Sequence, residues 1–510
     1  MKGTLTLRAA QRSPQDDEGA APEETSVEVD NLDLKLPCRV FEVSYQVADA
    51  GKFTLTTEFL LRLLKAVNGL TEAEIAEFFG FSVDEAAEVV NAAERKEYVT
   101  RHGGKVALTE AGDSLFEGPA EEPALYEVER KRGHFGFDLV SFCPARSQQL
   151  EPFERTLPEV PLPDPELAAN ATKEIREAFR RHFHEIQVLL GGQDADRRSL
   201  YSIDDVTGQH RGSTLVPVSV KVGRETSATI GPDLRGWKTG VDLDNRMAVL
   251  QSCGAFLKTS IVSASYASEN GADYLHECAP AHLARYFKGG QFNTLSYFRL
   301  ATSMAGDLRK DRKTARIVGT LWTRQNFDRI VAAMKHAPEI PGMEHEPLIW
   351  LRPSTPLWGC STRFVSMVEG LAKNMAPSGR PEPLGTVLIA HDDRESGRRF
   401  GDVFDVVTTL RAGRTPKNFE MLLVPGRLFA AQVHLPMSGS DGYPIAMGVV
   451  SFDHALLRGA HEVMSDIIAR GKLAIVAGES RADIGEDLME ALKLPGAFGA
   501  EVPAPPSEEA

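Results

Sequence analysis

Apolar positions between residues 53 and 116 fall first at helical spacing and then in short alternation. Phe59, Leu60, Leu63, Leu64 and Val67 mark one face of a first helix, which Asn68-Gly69 stops. Thr71, with Glu74 three places on, has the capping-box spacing and predicts a second helix with Ile75, Phe78 and Phe79 facing inward. Gly80 makes the turn. Ser82 with Glu85 then caps a third helix whose buried stripe is Ala86, Val89, Val90 and Ala93. Strands over 98–101 and 105–109, joined by His102-Gly103-Gly104, predict a hairpin.

Elsewhere the pattern is coarser. Residues 1–8 alternate like a strand, 9–25 are polar and acidic, and 26–47 alternate again through Val27, Val29, Leu32, Leu34, Leu36, Val40, Phe41 and Val43. A small N-terminal sheet segment (1–50) is therefore expected ahead of the module at 51–118. The Pro/Glu stretch 117–123 and the proline-rich stretch 151–165 read as boundaries. Between them and residue 200 lie a linker and one long basic helix (165–190) carrying Lys173, Arg176, Arg180, Arg181, His182 and His184.

From about residue 200 short apolar strands alternate with helical patterns. Strands are predicted over 214–222, 259–265, 348–352, 385–390, 402–409, 419–424, 429–435 and 445–452. Helices are predicted over 243–255, 281–287, 323–335, 364–375 and 454–469. The fold class expected is α/β (α+β): a small N-terminal module followed by a larger mixed-sheet domain over 201–495, with a disordered tail at 496–510.

The stretch from Phe53 to Phe116 resembles the winged helix-turn-helix family, over roughly a tenth of the chain. In DNA-binding members the third helix enters the major groove, and phosphate contacts need Lys or Arg around it. Here that helix carries Asp84, Glu85, Glu88, Glu94 and Glu97 against Arg95 and Lys96, and residues 52–116 hold seven basic and eleven acidic residues. A protein-contact use of the third helix is expected, with Arg101, His102 and Lys105 as the wing positions open to nucleic acid.

Composition is that of an ordinary globular protein: 510 residues, 42% hydrophobic and 25% charged, with a formal charge of −15. This balance argues against a general nucleic-acid coat or a ligand for anionic membranes, while leaving room for a local basic groove. No run approaches the ~18–20 apolar residues of a membrane span, and the first residues lack a signal-peptide core, so no membrane partner and a cytoplasmic location are expected. Cys38, Cys143, Cys253, Cys278 and Cys360 are scattered, without a C-x-x-C pair, and read as reduced, packed thiols.

The sharpest candidate chemistry lies near the C-terminus. A strand ends in His434; a turn (438–442), a strand running through Gly448-Val449-Val450-Ser451-Phe452 and a helix with Glu462 follow. This order resembles the catalytic half of the phospholipase D-like superfamily. The resemblance implies a phosphohistidine nucleophile at His434 and phosphate clamps from a lysine two places on and a Gly-Ser pair. Pro436 stands where the lysine would be, so the resemblance implies a degenerate site. If active, it would use His434 and Glu462. Upstream, 257–266 with Asn270-Gly271, and 348–360, run from apolar segments into turns that could border a groove.

Other motifs read more plainly. Gly231–Thr239 misses the phosphate-loop register by one residue, because Trp237 separates Gly236 from Lys238, and reads as a surface turn. His391-Asp392-Asp393 with Glu395 could hold Mg²⁺ only with a distant second carboxylate, so no metal site and no cofactor are assigned. His182-x-His184-Glu185 reads as exposed helix, and Cys360 as packing. Three basic groups remain: Arg309, Lys310, Arg312, Lys313 and Arg316; Arg176, Arg180 and Arg181 on one helix face; and Arg394, Arg398, Arg399, Arg411, Arg414 and Lys417. The first could grip a phosphate backbone, with Tyr297, Phe298 and Trp322 nearby for base stacking.

The expected function is a non-catalytic subunit binding nucleic acid and other proteins, resembling parts combined in bacterial multi-protein anti-phage systems. The alternatives are a phospholipase D-like phosphodiesterase or nuclease, and a scaffold without nucleic-acid contact.

Overall fold

The alternation at residues 26–47 belongs to one long strand, β1 (Ser26–Asp49), which runs antiparallel to a slightly longer partner, β5 (Arg198–Gly223). The computed structural model describes residues 26–49, 55–116, 127–189, 198–223, 230–234, 237, 246–262, 270–303, 306–337, 347–375, 385–391, 394–411, 415–437, 442–479, 481 and 483–493. The strand expected at 1–8, the linker at 117–123 and the tail at 496–510 lie outside these residues.

The strands between β1 and β5 are β2 (Val99–His102), β3 (Lys105–Leu108) and β4 (Glu127–Asp138). After β5 come β6 (Ile230–Asp233), β7 (Phe287–Lys288), β8 (Gln291–Phe292), β9 (Thr314–Val318), β10 (Leu348–Leu351), β11 (Thr386–His391) and β12 (Val406–Leu410). The last four are β13 (Phe419–Val424), β14 (Leu428–Pro436), β15 (Pro444–Ser451) and β16 (Leu473–Gly478). One antiparallel sheet has the order β4-β1-β5-β6, and a mixed sheet of eight strands has the order β16-β12-β11-β10-β13-β14-β15-β9. Helices and mixed sheet together make the class α/β. Segments 1–50, 119–200 and the start of 201–495 were expected as separate units, but they share the first sheet.

Each half of β1 serves a different core. Leu32, Leu34 and Leu36 belong to the large core that also holds the eight-stranded sheet. Phe41, Val43, Tyr45 and Val47, two apart on one face, pack with Phe135 and Phe137 of β4 and with Ile175, Phe179 and Phe183. The long basic helix predicted at 165–190 is three pieces, Pro165–Ala169, Thr172–Arg181 and Phe183–Leu189. His182, read as exposed, is buried at the second break, its Nδ1 2.5 Å from Glu185.

In the larger sheet β10, β11 and β12 are parallel, while β13, β14 and β15 form an antiparallel meander ending on β9. Near-continuous apolar runs such as Leu348–Leu351 and Phe419–Val424 are buried along their length, as strands covered on both faces require. The strand expected at 259–265 is helical as far as described. Val249, Cys253 and Leu257, each four apart, continue one buried stripe through the helix Met247–Val262.

The chain leaves β1 at Asp49 and returns at Glu127, its cross-strand partner, so residues 55–116 form an excursion between two paired strands. The excursion has three helices, Leu55–Ala66, Glu72–Phe79 and Val83–Glu94, followed by the β2–β3 hairpin. Both capping boxes form, at Thr71/Glu74 and Ser82/Glu85, and Gly80 closes the second helix in the left-handed region. Leu60, Leu61, Leu64, Ile75, Ala86, Val90, Val99 and Val106 make a core of its own. Phe59, Val67 and Phe78 were expected inside, but all three are exposed, Phe78 at 66%. Phe79, also expected inside, is half-buried against this core and stacks on Phe81.

Candidate functional site

Strand register brings His434 to an acid that the sequence does not single out. Glu420 on β13 lies directly opposite Gln432 of β14, so the diagonal neighbour on the same face is His434. His434 Nε2 sits 2.5 Å from Glu420 Oε2, while Glu420 Oε1 accepts from the indoles of Trp350 (2.9 Å) and Trp358 (3.0 Å). The carboxylate thus orients an imidazole, an arrangement used by general bases and nucleophiles. Glu462, the acid expected to serve His434, is exposed on the helix His454–Arg470 and is not its partner.

The first residues of β1 lie near this site. A bulge at Val29 leaves Val29, Asp30 and Asn31 all buried in succession. Asp30 receives Tyr443 Oη (2.7 Å), Thr320 Oγ1 (3.1 Å) and the Asn31 N–H (2.8 Å). Burial raises its carboxyl to about 6, against the pull of those donors and of nearby His434. Asn31 joins Ser361 and, through its carbonyl, Trp322 Nε1. Asp33 Oδ2 accepts from the backbone and hydroxyl of Thr362, capping the helix Thr362–Met375. His434, Glu420, Asp30 and Asn31 are all buried.

The other half of the expected phosphate site lies elsewhere. His434 pairs with Ala446, five residues before Ser451, which places Ser451 about 17 Å along the strand. Ser451 bonds Thr314 Oγ1 and receives the Asp453 N–H, joining β9, β15 and the following helix. The turn 438–441 is outside the described residues. Trp237, in the near-miss phosphate loop, is a buried anchor under Arg246 (4.4 Å to the ring); Lys238 is outside the described residues. His391 is half-buried, and desolvation with the charges of Arg352 and Lys417 lowers it to about 4. Asp392, Asp393 and Arg414 are outside the described residues, and among the described ones no group of His, Cys, Asp and Glu could hold a metal ion. Cys360 is buried, with Arg399 3.4 Å from its sulfur.

The basic candidates divide sharply. Arg309, Lys310, Arg312 and Lys313 are exposed on a tight turn closed by reciprocal Arg309–Arg312 backbone bonds of 3.0 Å. Among the described residues Arg309, Lys310 and Arg312 have no ion pair, and Lys313 lies 4.0 Å from Asp453. Arg316, on the edge strand β9, is half-buried over the Tyr286 ring. Tyr297, Phe298 and Trp322, expected to stack bases, are buried core rings with no free face.

Arg176 is committed to the carbonyls of Ile203 (2.6 Å) and Asp204, whereas Arg180 and Arg181 end their helix and are both exposed. Arg101 is held by Glu72, Glu94 and Asn91, which removes it as a phosphate ligand; Lys105 stays exposed. The third helix of the module presents a groove lined by Asp84, Ala87, Glu88, Asn91, Glu94 and Arg95. No helix among the described residues is long and apolar enough to cross a membrane.

Comparison with protein-family models, with curated proteins and with solved structures gives no match to this chain.

Proposed function

We propose that this protein is a non-catalytic subunit that binds nucleic acid through the 309–313 turn and other proteins through its acidic 55–116 module. The observation that supports this reading is a contrast in accessibility. The imidazole that Glu420 orients is buried, while four cations on a tight turn face solvent. An exposed cation group of this kind is what a phosphate backbone selects. The acidic third helix repels that backbone and suits a basic protein surface.

The Glu420–His434 pair supports one second reading, a phosphodiesterase in which the buried imidazole must become exposed before it can act. Binding to labelled single- and double-stranded DNA over a salt series, with the same samples checked for cleavage with and without Mg²⁺, separates the two. Salt-sensitive binding with intact DNA is expected. Cleavage abolished by His434→Ala would replace the first reading with the second, and absence of binding would leave a scaffold.

A further inference from the structure

Two helix starts, Arg324–His336 and Thr362–Met375, meet around a cavity of about 330 Å³. Its floor is apolar: Trp322 and Met367 are almost wholly buried and Phe327 half-buried. Its rim carries Arg324, Arg363 and Ser366, all three exposed. A bare inorganic anion would leave that floor unused, and a purely apolar ligand would leave the guanidinium groups unused.

The electrostatics point the same way. Neither first turn contains an acidic side chain, and each carries an arginine where unsatisfied N–H groups already concentrate positive charge. Thr323 turns its hydroxyl to the Thr320 carbonyl, so the first helix has no side-chain cap. Asp33 and Ser361 serve the start of the second. Glu28 reaches Arg363 at 3.2 Å but also accepts from Ser219, and Arg324 has no ion pair among the described residues. An anionic group bound here would relieve two like charges together with the uncapped start of the first helix.

We infer that this cavity binds one nucleotide unit, with the base against Phe327, Met367 and the edge of Trp322 and the phosphate on Arg324 and Arg363. The volume, at the lower end of the ~300–1,000 Å³ typical of ligand pockets, suits one nucleotide rather than a dinucleotide. The inference rests on the nucleic-acid reading above only for one source of that unit, the 5′ end of a strand; a free mononucleotide offers the same chemistry.

Calorimetric titration of the full chain with AMP, adenosine and inorganic phosphate tests it. AMP is expected to bind at least about tenfold more tightly than either fragment, since only AMP supplies both the ring and the charge. Arg324→Gln with Arg363→Gln should weaken AMP binding about tenfold or more by removing the charge-assisted bonds. Ser366→Trp, which fills the cavity from its rim, should abolish AMP binding with an unchanged circular dichroism spectrum. No AMP binding, or binding that survives Ser366→Trp, overturns the inference.

Oligonucleotides with and without a 5′-phosphate then identify the source. A preference for the phosphorylated strand that Ser366→Trp removes assigns a strand end, and equal binding of the two with AMP binding intact assigns a free nucleotide. Nucleic-acid binding untouched by reversal at 309–313, alongside AMP binding that depends on Ser366, would reject the surface reading and keep the cavity.

Discussion

Glu420 has no exposed surface, and it accepts from two indoles and faces an imidazole at 2.5 Å. Replacing it by Ala leaves those donors buried without an acceptor, which costs far more than the original bonds contribute net. Glu420→Ala is expected to lose about 3–5 kcal/mol, read as a lower urea midpoint. A second effect at this scale concerns pH. His461 is buried, accepting from the Gly426 N–H with its other nitrogen at the Leu492 carbonyl, and burial lowers it from 6.5 to about 4, as for His391. The unfolded chain therefore takes up these protons first, and stability falls as pH drops from 6.5 towards 4, by about 3 kcal/mol for each histidine. Asp30 works in the opposite direction. Its carboxyl, raised from 3.8 to about 6, protonates first in the folded state, so its contribution is present at low pH and lost as pH rises through 6. Asp30→Asn removes that counterweight, and urea midpoints between pH 4 and 6.5 should fall more steeply with acid than in the parent. An unchanged slope would exclude Asp30 as the opposing group.

Between elements, the decisive contact is a loop meeting a bulge. Gly319 follows β9 with φ +87, and a Cβ there would lie 2.8 Å from the Val29 carbonyl oxygen. The Thr320 N–H donates to that carbonyl at 2.8 Å, and Asn326 and Gln432 hold the loop from the other side. Gly319→Ala is expected to destabilise by about 2 kcal/mol, from the left-handed backbone and the displaced strand. Faster amide exchange at residues 26–36 than in the 55–116 module would place the damage at this docking. What is legible in the sequence follows the range of the interactions. Thr71/Glu74 and Ser82/Glu85 are three residues apart, so spacing alone predicts both caps. The strand Phe419–Val424 is visible because a strand buried on both faces is almost uniformly apolar. Glu420 is not visible as the partner of His434, because their meeting depends on strand register. Asp30 and Tyr443 are 413 positions apart, and no local pattern relates them. Arg176 and Arg101 look available in sequence because a charge carries no information about which carbonyl or carboxylate already holds it.

Over the whole molecule, charge is sorted rather than uniform. The net charge of −15 repels nucleic acid at long range, so binding must come from a patch that concentrates the opposite sign. Arg309, Lys310, Arg312 and Lys313 meet that requirement, whereas Arg101 and Arg176 are held by the protein itself. Reversal of those four residues to Glu should therefore weaken binding to duplex DNA regardless of sequence. It should also flatten the dependence of log K on log salt by about 0.9 for each phosphate no longer neutralised. Reversal of Asp84 and Glu88 to Lys is the matched control, since both belong to the acidic helix and neither forms a cap. Glu85 is unsuitable for that purpose because it closes the Ser82 capping box. The control should leave the salt slope unchanged and should instead reduce association with a basic protein surface. Equal weakening by both reversals would contradict the division between a basic nucleic-acid face and an acidic protein face. A slope unchanged by the first reversal would move the phosphate contacts to Arg181 or Lys105, exposed candidates on other elements.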